Sequence, residues 1–230
     1  MARHNRTFSP VVIAIDGPAG AGKSTVAKEI ARRLGFAYLD TGAMYRALTL
    51  KAIEEHINLE KEDAIVQLAH RTTIDLTMGQ DKKLRVLLDG NDVTDKIRSQ
   101  EVTNKTFYVA RAPRVRGVMV GWQREIGAKE NIVVEGRDIG TVVFPRATRK
   151  FYLDADFEER SRRRIQELKE QDKVVNETLL KNDLKERDQK DITRATGPLK
   201  KADDAICIDS TRMTIDDVVA TILKHIPPHV

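Results

Sequence analysis

The 230-residue sequence predicts an α/β protein whose parallel-sheet core carries a small antiparallel subdomain and a charged helical segment. Three features predict this fold class. Short apolar runs typical of buried strands alternate with helical patterns along most of the chain. Between about Ile74 and Val93, apolar and polar residues alternate instead, with turn signals at Gly79-Gln80-Asp81 and Asp89-Gly90-Asn91. A long, highly charged helical stretch separates the last two strand-like runs.

Composition fits a soluble, helix-rich protein that is large enough to bury a core. The single cysteine, Cys207, excludes an internal disulfide, which favours a reducing cytoplasm. Because Cys207 lies in an apolar run, we expect a buried structural thiol. The apolar run after the basic start is too short for a signal peptide or a membrane span. We therefore interpret residues 1–10 as a disordered lead-in.

The first strand and the turn after it predict a phosphate-binding loop. Val11 to Ile15 is short and apolar, as in a buried strand. The spacing Gly17-x-x-x-x-Gly22-Lys23-Ser24 follows it and opens a helical pattern. Glycines let successive backbone N–H groups converge with the helix N-terminus on an anion, while the lysine reaches terminal phosphates and the Ser24 hydroxyl ligates Mg²⁺. We predict a nucleoside triphosphate with Mg²⁺; the alternative is a glycine-rich turn that binds nothing.

The later elements continue the alternation of strand and helix. The run "FAYLD" predicts a second strand, and a helix follows with Thr41 near its N-cap and with Ala43, Ala47 and Leu50 on one side. Three further runs predict core strands: Asn131 to Asp138, Arg149 to Asp156 and Asp204 to Ser210.

The charged helical stretch has two interpretations. Acid-before-base pairs four residues apart, Glu158–Arg162 and Glu159–Arg163, are typical of a solvated helical hairpin. Arginines spaced along the same stretch could instead close over a triphosphate as a mobile lid, which we favour. The arginines in question are Arg160, Arg164, Arg187 and Arg194.

Eight segments of the chain, taken in order, closely resemble the bacterial cytidylate kinase family. They are "IDGPAGAGKST", "YLDTGAMYRA", "RSQEV", "PRVR", "EGRDIGTVVFP", "FYLDADFEERSRRR", "ERDQKD" and "IDST". Many enzymes share the phosphate loop, whereas "DTGAMYR" together with "GRDIGTVVFP" is specific to this family. The resemblance spans nearly the whole chain from Val11 on. It implies a P-loop NTPase core with a nucleotide-monophosphate (NMP)-binding insertion and a helical lid.

The resemblance also implies an activity and a division of the chain. The activity is ATP-dependent phosphorylation of CMP and dCMP to CDP and dCDP, with Mg²⁺ and by in-line transfer. The core would comprise residues 11–40, 116–157 and 192–230, the NMP-binding insertion residues 41–115, and the lid residues 158–191. We expect a cytoplasmic monomer whose partners are small nucleotides, with neither nucleic acid nor membrane among them.

Site residues follow from the matching motifs. The ATP phosphates would be wrapped by Gly17, Pro18, Ala19, Gly20, Ala21, Gly22, Lys23, Ser24 and Thr25. The acceptor nucleotide would be lined by Thr41, Tyr45 and Arg46, its base read by Arg116 and Asp138, its phosphate held by Arg137, and its phosphates or sugar reached by Arg187, Asp191 and Arg194. The implied catalytic set is Lys23, Arg137, Arg187 and Arg194.

The residue types suit phosphoryl transfer without the family. An acceptor phosphate with a second pKa near about 6 is already a nucleophilic dianion at neutral pH, so no general base is required. Guanidinium groups bind phosphate in a bidentate manner. The alternative for Arg46, Arg116 and Arg137 is a surface ion pair. The histidines are isolated in the sequence, as expected for surface or core positions: His4, His56, His70, His225 and His229.

One position departs from the family pattern. Phe107 stands where the family commonly has a serine shortly before "PRVR". A phenyl ring cannot hydrogen-bond the base, so that contact is either missing or supplied by Thr106.

Three other functions compete. A GTPase needs a guanine-reading "NKxD" element, and "NKTF" at Asn104 to Phe107 lacks the aspartate. A kinase of a small metabolite such as shikimate needs no cytosine-reading pair. The net charge of +5 and the pI of about 9.3 would suit a nucleic-acid-binding ATPase. The basic segment from Arg160 to Lys173 nevertheless contains no aromatic residue for base stacking.

Overall fold

A computed structural model describes residues 10–79, 83–170 and 175–227 and confirms the predicted fold class. The central sheet is formed by β1 (Val12–Asp16), β2 (Ala37–Asp40), β6 (Ile132–Gly136), β7 (Arg149–Asp154) and β8 (Ile206–Asp209). These strands are all parallel, in the order β2-β6-β1-β7-β8. Each of the five runs predicted as a core strand contributes one of them. The predicted lead-in, apart from Pro10, lies outside the described residues.

Eight α-helices occur within the described ranges. They are α1 (Lys23–Leu34), α2 (Thr41–Glu54), α3 (Glu62–His70), α4 (Gln100–Arg111), α5 (Pro113–Gly127), α6 (Phe157–Lys169), α7 (Glu177–Thr193) and α8 (Ile215–Lys224). The Asp40 side chain accepts from the Ala43 N–H and caps α2, so Thr41 is the first residue of that helix rather than its cap. Helix α1 packs against β6 and α8, and Gly35, with φ of 68°, ends it.

The predicted antiparallel meander forms a separate three-stranded sheet. Its strands are β3 (Ile74–Met78), β4 (Leu84–Leu88) and β5 (Asn91–Asp92), in that order. Asp89 and Gly90 both have positive φ, 48° and 82°, as in a two-residue hairpin turn of type I′. The Lys51 ammonium lies 2.6 Å from an Asp89 carboxylate oxygen and ties this turn to α2. Of the other predicted turn, Gln80 and Asp81 lie outside the described residues.

The prediction of a buried Cys207 is wrong. Cys207 lies on β8, which is the last strand of the sheet, and its side chain is exposed. Alternate residues of a strand point to opposite faces, and here only Ile208 is buried. The apolar run indicated a strand but could not show that one face of this edge strand is uncovered.

Helices α6 and α7 form an antiparallel pair with a partly predicted set of ion pairs. Arg163 Nε lies 2.8 Å from Glu159, as predicted. The other predicted pair, Glu158–Arg162, does not form. Glu158 instead contacts Lys181 of α7 at 2.6 Å. In the part of the chain that the structure describes, no helix is long and apolar enough to cross a membrane.

Candidate active site

A cleft of about 1570 Å³ lies beside the carboxyl ends of the parallel strands. This is where open α/β sheets bind their ligands. The phosphate loop, α2, α4, the turn after β6, and the helix pair α6–α7 all contribute to its walls. Every predicted site residue lines the cleft except Gly17 and Pro18, which begin the loop.

The phosphate loop has the backbone geometry that its glycines predict. Gly20 and Gly22 have φ of 79° and 89°, which residues with a Cβ rarely adopt. A Cβ at Gly17 would lie 2.0 Å from the Leu153 carbonyl oxygen, so the loop passes directly against β7. The buried ammonium of Lys23 donates to the Pro18 carbonyl at 2.7 Å. The loop therefore folds around its own lysine.

Positive charges are concentrated next to Lys23. Burial and the neighbouring Arg137 lower the pKa of Lys23 to about 7. Burial and Arg137 also lower the pKa of Arg187 to about 10. No hydrogen bond or ion pair to Arg187 occurs within the described residues. Like charges held together out of water are unfavourable, and a bound polyanion would stabilise them.

Glu135 is a site residue that the sequence analysis missed. It is the penultimate residue of β6 and lines the cleft, where it accepts a hydrogen bond of 2.5 Å from the Tyr38 hydroxyl and lies near the Ser24 side chain. Burial and the nearby Asp40 raise the pKa of Glu135. The signal was an acid at the end of an otherwise apolar strand. A buried strand with one charged residue is also common in cores, so the sequence alone did not single it out.

The turn after β6 is fixed by a buried carboxylate. Asp16 accepts from the backbone N–H groups of Ile139 and Gly140, both at 2.8 Å. Burial raises the pKa of Asp16 to about 6, while these two hydrogen bonds oppose the rise. The turn carries Arg137 and Asp138, so Asp16 helps to hold both residues at the carboxyl ends of the parallel strands.

The predicted base-reading residues form a buried ion pair. The Arg116 guanidinium donates to an Asp138 carboxylate oxygen, and the other Asp138 oxygen lies 3.6 Å from Arg194. Burial raises the pKa of Asp138, and Arg116 opposes the rise. Gly197 covers the pair, because a Cβ there would lie 2.2 Å from Arg116. Sequence analysis missed Gly197; a lone glycine after a helix gave no signal beyond a helix end.

The remaining predicted residues are also brought together. Arg137 donates to Asp191 at 2.7 Å, and Arg46 lies 3.2 Å from Asp40. The Thr41 hydroxyl donates to the Glu135 carbonyl at 2.7 Å, which places it in the backbone framework of the cleft. Arg116 is buried and Arg46 and Arg137 are partly buried, and each of the three is ion-paired inside the cleft rather than on an open surface.

The lid role considered for Arg160 is not supported. Arg160 is buried and donates to the carbonyls of Ala155 and Ala19, both at 3.0 Å, and to Asp188 of α7. Asp188 in turn accepts from the Ala19 N–H at 3.3 Å. Arg160 therefore ties the helix pair to the phosphate loop. Arg164 lines the cleft while paired with Glu167 at 2.7 Å.

Phe107 faces the helix pair and does not line the cleft. Its ring lies 5.4 Å from the Lys190 ammonium of α7 and 5.2 Å from the Arg111 guanidinium. Thr106 lines the cleft, but its hydroxyl donates to the Val102 carbonyl at 2.6 Å. Position 107 therefore contributes packing between α4 and α7, and Thr106 is the neighbour that lines the cleft.

Sequence comparisons with known proteins agree with the resemblance drawn from the motifs. The family model described as cytidylate kinase matches residues 13–228. A cytidylate kinase of Desulforamulus reducens is 54% identical over 211 residues, covering 92% of this chain and 94% of that protein. A cytidylate kinase of Caldanaerobacter subterraneus subsp. tengcongensis is 49% identical over 216 residues, covering 94% of each. Among solved structures, a gluconokinase from Sinorhizobium meliloti 1021 covers 95% of this chain and 92% of its own at 13% identity and a TM-score of 0.49.

Proposed function

The chain belongs to the cytidylate kinase family, and from that premise we propose that it transfers the γ-phosphoryl group of ATP in line to the phosphate of CMP and of dCMP. It is a nucleoside monophosphate kinase. The observation that carries the proposal is the arrangement of one cleft. A cluster of cations lies next to the phosphate loop, and a buried Arg–Asp pair lies across from it.

The cation cluster suits the chemistry of two phosphate groups that must meet. ATP and the acceptor phosphate are both polyanions, so the protein must neutralise charge and align the reacting oxygens. Lys23 and Arg187 are in an environment that already favours an added negative charge. Arg137 would hold the acceptor phosphate, and Arg194 would reach the phosphates or sugar. The dianionic acceptor attacks without a general base.

Ser24 and Glu135 fit the magnesium ion that accompanies ATP. Hydroxyl and carboxylate oxygens are the ligands that Mg²⁺ prefers, and these two side chains lie near each other and near Lys23. When bound, the ion would neutralise charge on the phosphate oxygens. The described residues contain no group of three His, Cys, Asp or Glu side chains that could hold a metal ion, so substrate oxygens and water would complete its shell.

The acceptor nucleotide would lie between α2, α5 and the turn after β6. Arg116 and Asp138 would exchange their mutual contact for contacts with the cytosine edge, while Tyr45 packs under Arg116. Thr41, Arg46 and Asp191 would line the remainder of the nucleotide. We propose dCMP as an acceptor alongside CMP because the proposed contacts with the base and the phosphate would be the same for both nucleotides.

An assay over a panel of monophosphates tests the proposed function. ADP release from ATP would be coupled to an optical signal with CMP, dCMP, UMP, AMP and GMP as acceptors. We expect CMP and dCMP to be phosphorylated and the purine nucleotides to be inert. A protein that turns over a purine monophosphate faster than CMP would overturn the proposal.

We expect ATP binding to take up protons above pH about 7, because the pKa of Lys23 is lowered to that value. In the free protein, Lys23 then loses its proton as pH rises, whereas the triphosphate charge raises its pKa again. ATP affinity should therefore fall as pH increases through this range. Calorimetry in two buffers of different ionisation enthalpy measures the uptake. Equal uptake by the parent and Lys23→Ala would assign the proton to another group.

We propose that residues 158–191 act as a lid, and we expect their amide hydrogen exchange to slow when nucleotides bind. In the described parts of α6 and α7, only Ile165 and Leu184 are buried among the large apolar side chains, while Leu179 and Ile192 are exposed. Weakly packed segments open easily. Exchange would be compared with and without a bisubstrate analogue joining ATP and CMP, with β1 as the internal reference. Equal exchange in both states would indicate a static helical hairpin.

A further inference from the structure

Gln123 is a polar side chain enclosed in the core of the protein. Its exposed fraction is 0%, and neither atom of its amide has a hydrogen-bond partner among the described residues. It lies on the face of α5 that also buries Met119 and Val120. Burying an amide without partners is unfavourable, and an apolar side chain of similar shape would stabilise this position more. The glutamine therefore requires an explanation other than packing.

Tyr45 and Arg116 each have a buried polar group that, within the described residues, also lacks a hydrogen-bond partner. The Tyr45 hydroxyl and the Arg116 Nε are buried without hydrogen-bond partners in the part of the chain described. Arg116 and Gln123 are seven residues apart on α5, so they share a face, and the Arg116 guanidinium lies 5.7 Å from the centre of the Tyr45 ring. Helix α2, which carries Tyr45, packs against α5, which carries Gln123. Burial raises the pKa of Tyr45 to about 12, and the nearby Gln123 amide opposes the rise.

Tyr45 packs against one member of the pair proposed to read the base. Arg116 joins Tyr45 on one side to Asp138 on the other. A side chain that fixes the Tyr45 ring therefore also fixes the plane on which Arg116 rests. Hydrogen bonds that are absent in the free protein and form when the nucleotide binds contribute to binding affinity rather than to the stability of the free fold.

We propose that Gln123 is a positioning residue for cytosine recognition, whose amide bonds the Tyr45 hydroxyl when the nucleotide binds and so holds Arg116 and Asp138 in register with the base. This inference rests on the proposed function, since it assumes that Arg116 and Asp138 face the base. Gln123 itself contacts no substrate. It acts through Tyr45.

The position predicts opposite effects on stability and on recognition. Gln123→Met keeps the length of the side chain and removes the amide. We expect the KM for CMP to rise roughly three- to tenfold, as for loss of one hydrogen bond, and the preference for CMP over UMP to fall. The KM for ATP and kcat should stay close to the parent values, and the thermal unfolding temperature should be unchanged or higher. Met119→Leu, on the same buried face, is the matched control and should alter none of the kinetic constants.

A double mutant separates positioning from packing. If Gln123 acts through the Tyr45 hydroxyl, Tyr45→Phe combined with Gln123→Met should be no worse for CMP than Tyr45→Phe alone. Fully additive losses would overturn the inference. So would a Gln123→Met variant that unfolds at a lower temperature but keeps the parent KM for CMP. If the parent protein shows no preference for CMP over UMP, the proposed base recognition by Arg116 and Asp138 is itself wrong. That result is distinguishable from a failure of the role proposed for Gln123 alone.

Discussion

Replacing Lys23 by alanine should slow phosphoryl transfer by about 10³-fold while the chain remains folded. Lys23 is enclosed by the phosphate loop and adds positive charge where the terminal phosphates would lie. Away from bulk water, one ammonium group contributes several kcal/mol to stabilising the transferring phosphoryl group. Its pKa is already lowered, so its loss removes an unfavourable buried charge from the free protein. Steady-state kinetics together with a thermal unfolding curve measure both effects.

Lys28→Ala is the matched control for this prediction. Lys28 also lies on α1 and lines the cleft, where its ammonium rests 5.6 Å from the Tyr38 ring centre. Removing it also takes a lysine side chain from the cleft wall, without touching the loop. We expect a far smaller loss of rate. A folded Lys23→Ala protein with activity within tenfold of the parent would reject the assignment of Lys23 to the transferring phosphates.

Asp138→Ala should lower kcat/KM for CMP and remove most of the preference for CMP over UMP. A carboxylate accepts a hydrogen bond from the cytosine amino group but faces the uracil carbonyl with like-signed charge. Arg116 would likewise donate to the acceptor nitrogen of cytosine and oppose the N–H of uracil. Paired readout of this kind contributes about 1–3 kcal/mol, or roughly 5- to 150-fold. The variant loses both the attraction and the repulsion.

Arg137→Ala is the informative comparison for Asp138→Ala. The two residues are adjacent in the turn held by Asp16, but Arg137 contacts Asp191 and would bind the acceptor phosphate. A phosphate carries no information about the base. Arg137→Ala should therefore slow CMP and UMP by similar factors. If Asp138→Ala also slows both by one common factor, cytosine is read elsewhere in the cleft.

The five core strands and the antiparallel insertion could be predicted because their signals are local. Apolar runs such as Val11 to Ile15 fit only a strand buried on both faces, and strict alternation from Ile74 fits a sheet buried on one face. The phosphate loop was predictable because phosphate binding requires its glycines, lysine and serine at fixed spacings in the sequence. The prediction that Cys207 is buried was wrong because the order of the strands in the sheet decides which strand lies at an edge. The local sequence pattern contains no information on that order.

The parts of the site that the sequence did not reveal depend on packing between distant elements. Glu135 is recognised as a site residue only because it lies near Ser24 and Lys23, which are more than 100 residues earlier in the chain. Gln123 resembles an ordinary helix residue until its burial is known. Arg160 looked like a lid arginine, yet its partners are Ala19 and Asp188. Motifs identify which residue types are present, but only the fold shows which of them are already paired.

The contact of Arg160 with both Ala19 and Asp188 makes the phosphate loop and α7 thermodynamically linked. Linkage is reciprocal: if ATP binding stabilises the folded form of α7 by some free energy, then folding of α7 strengthens ATP binding by the same free energy. Local melting of α7 would consequently weaken ATP binding even though most of that helix lies away from the loop. In a denaturant titration, affinity for ATP should thus decline before the sheet unfolds, and the enzyme would lose its donor before it loses its fold.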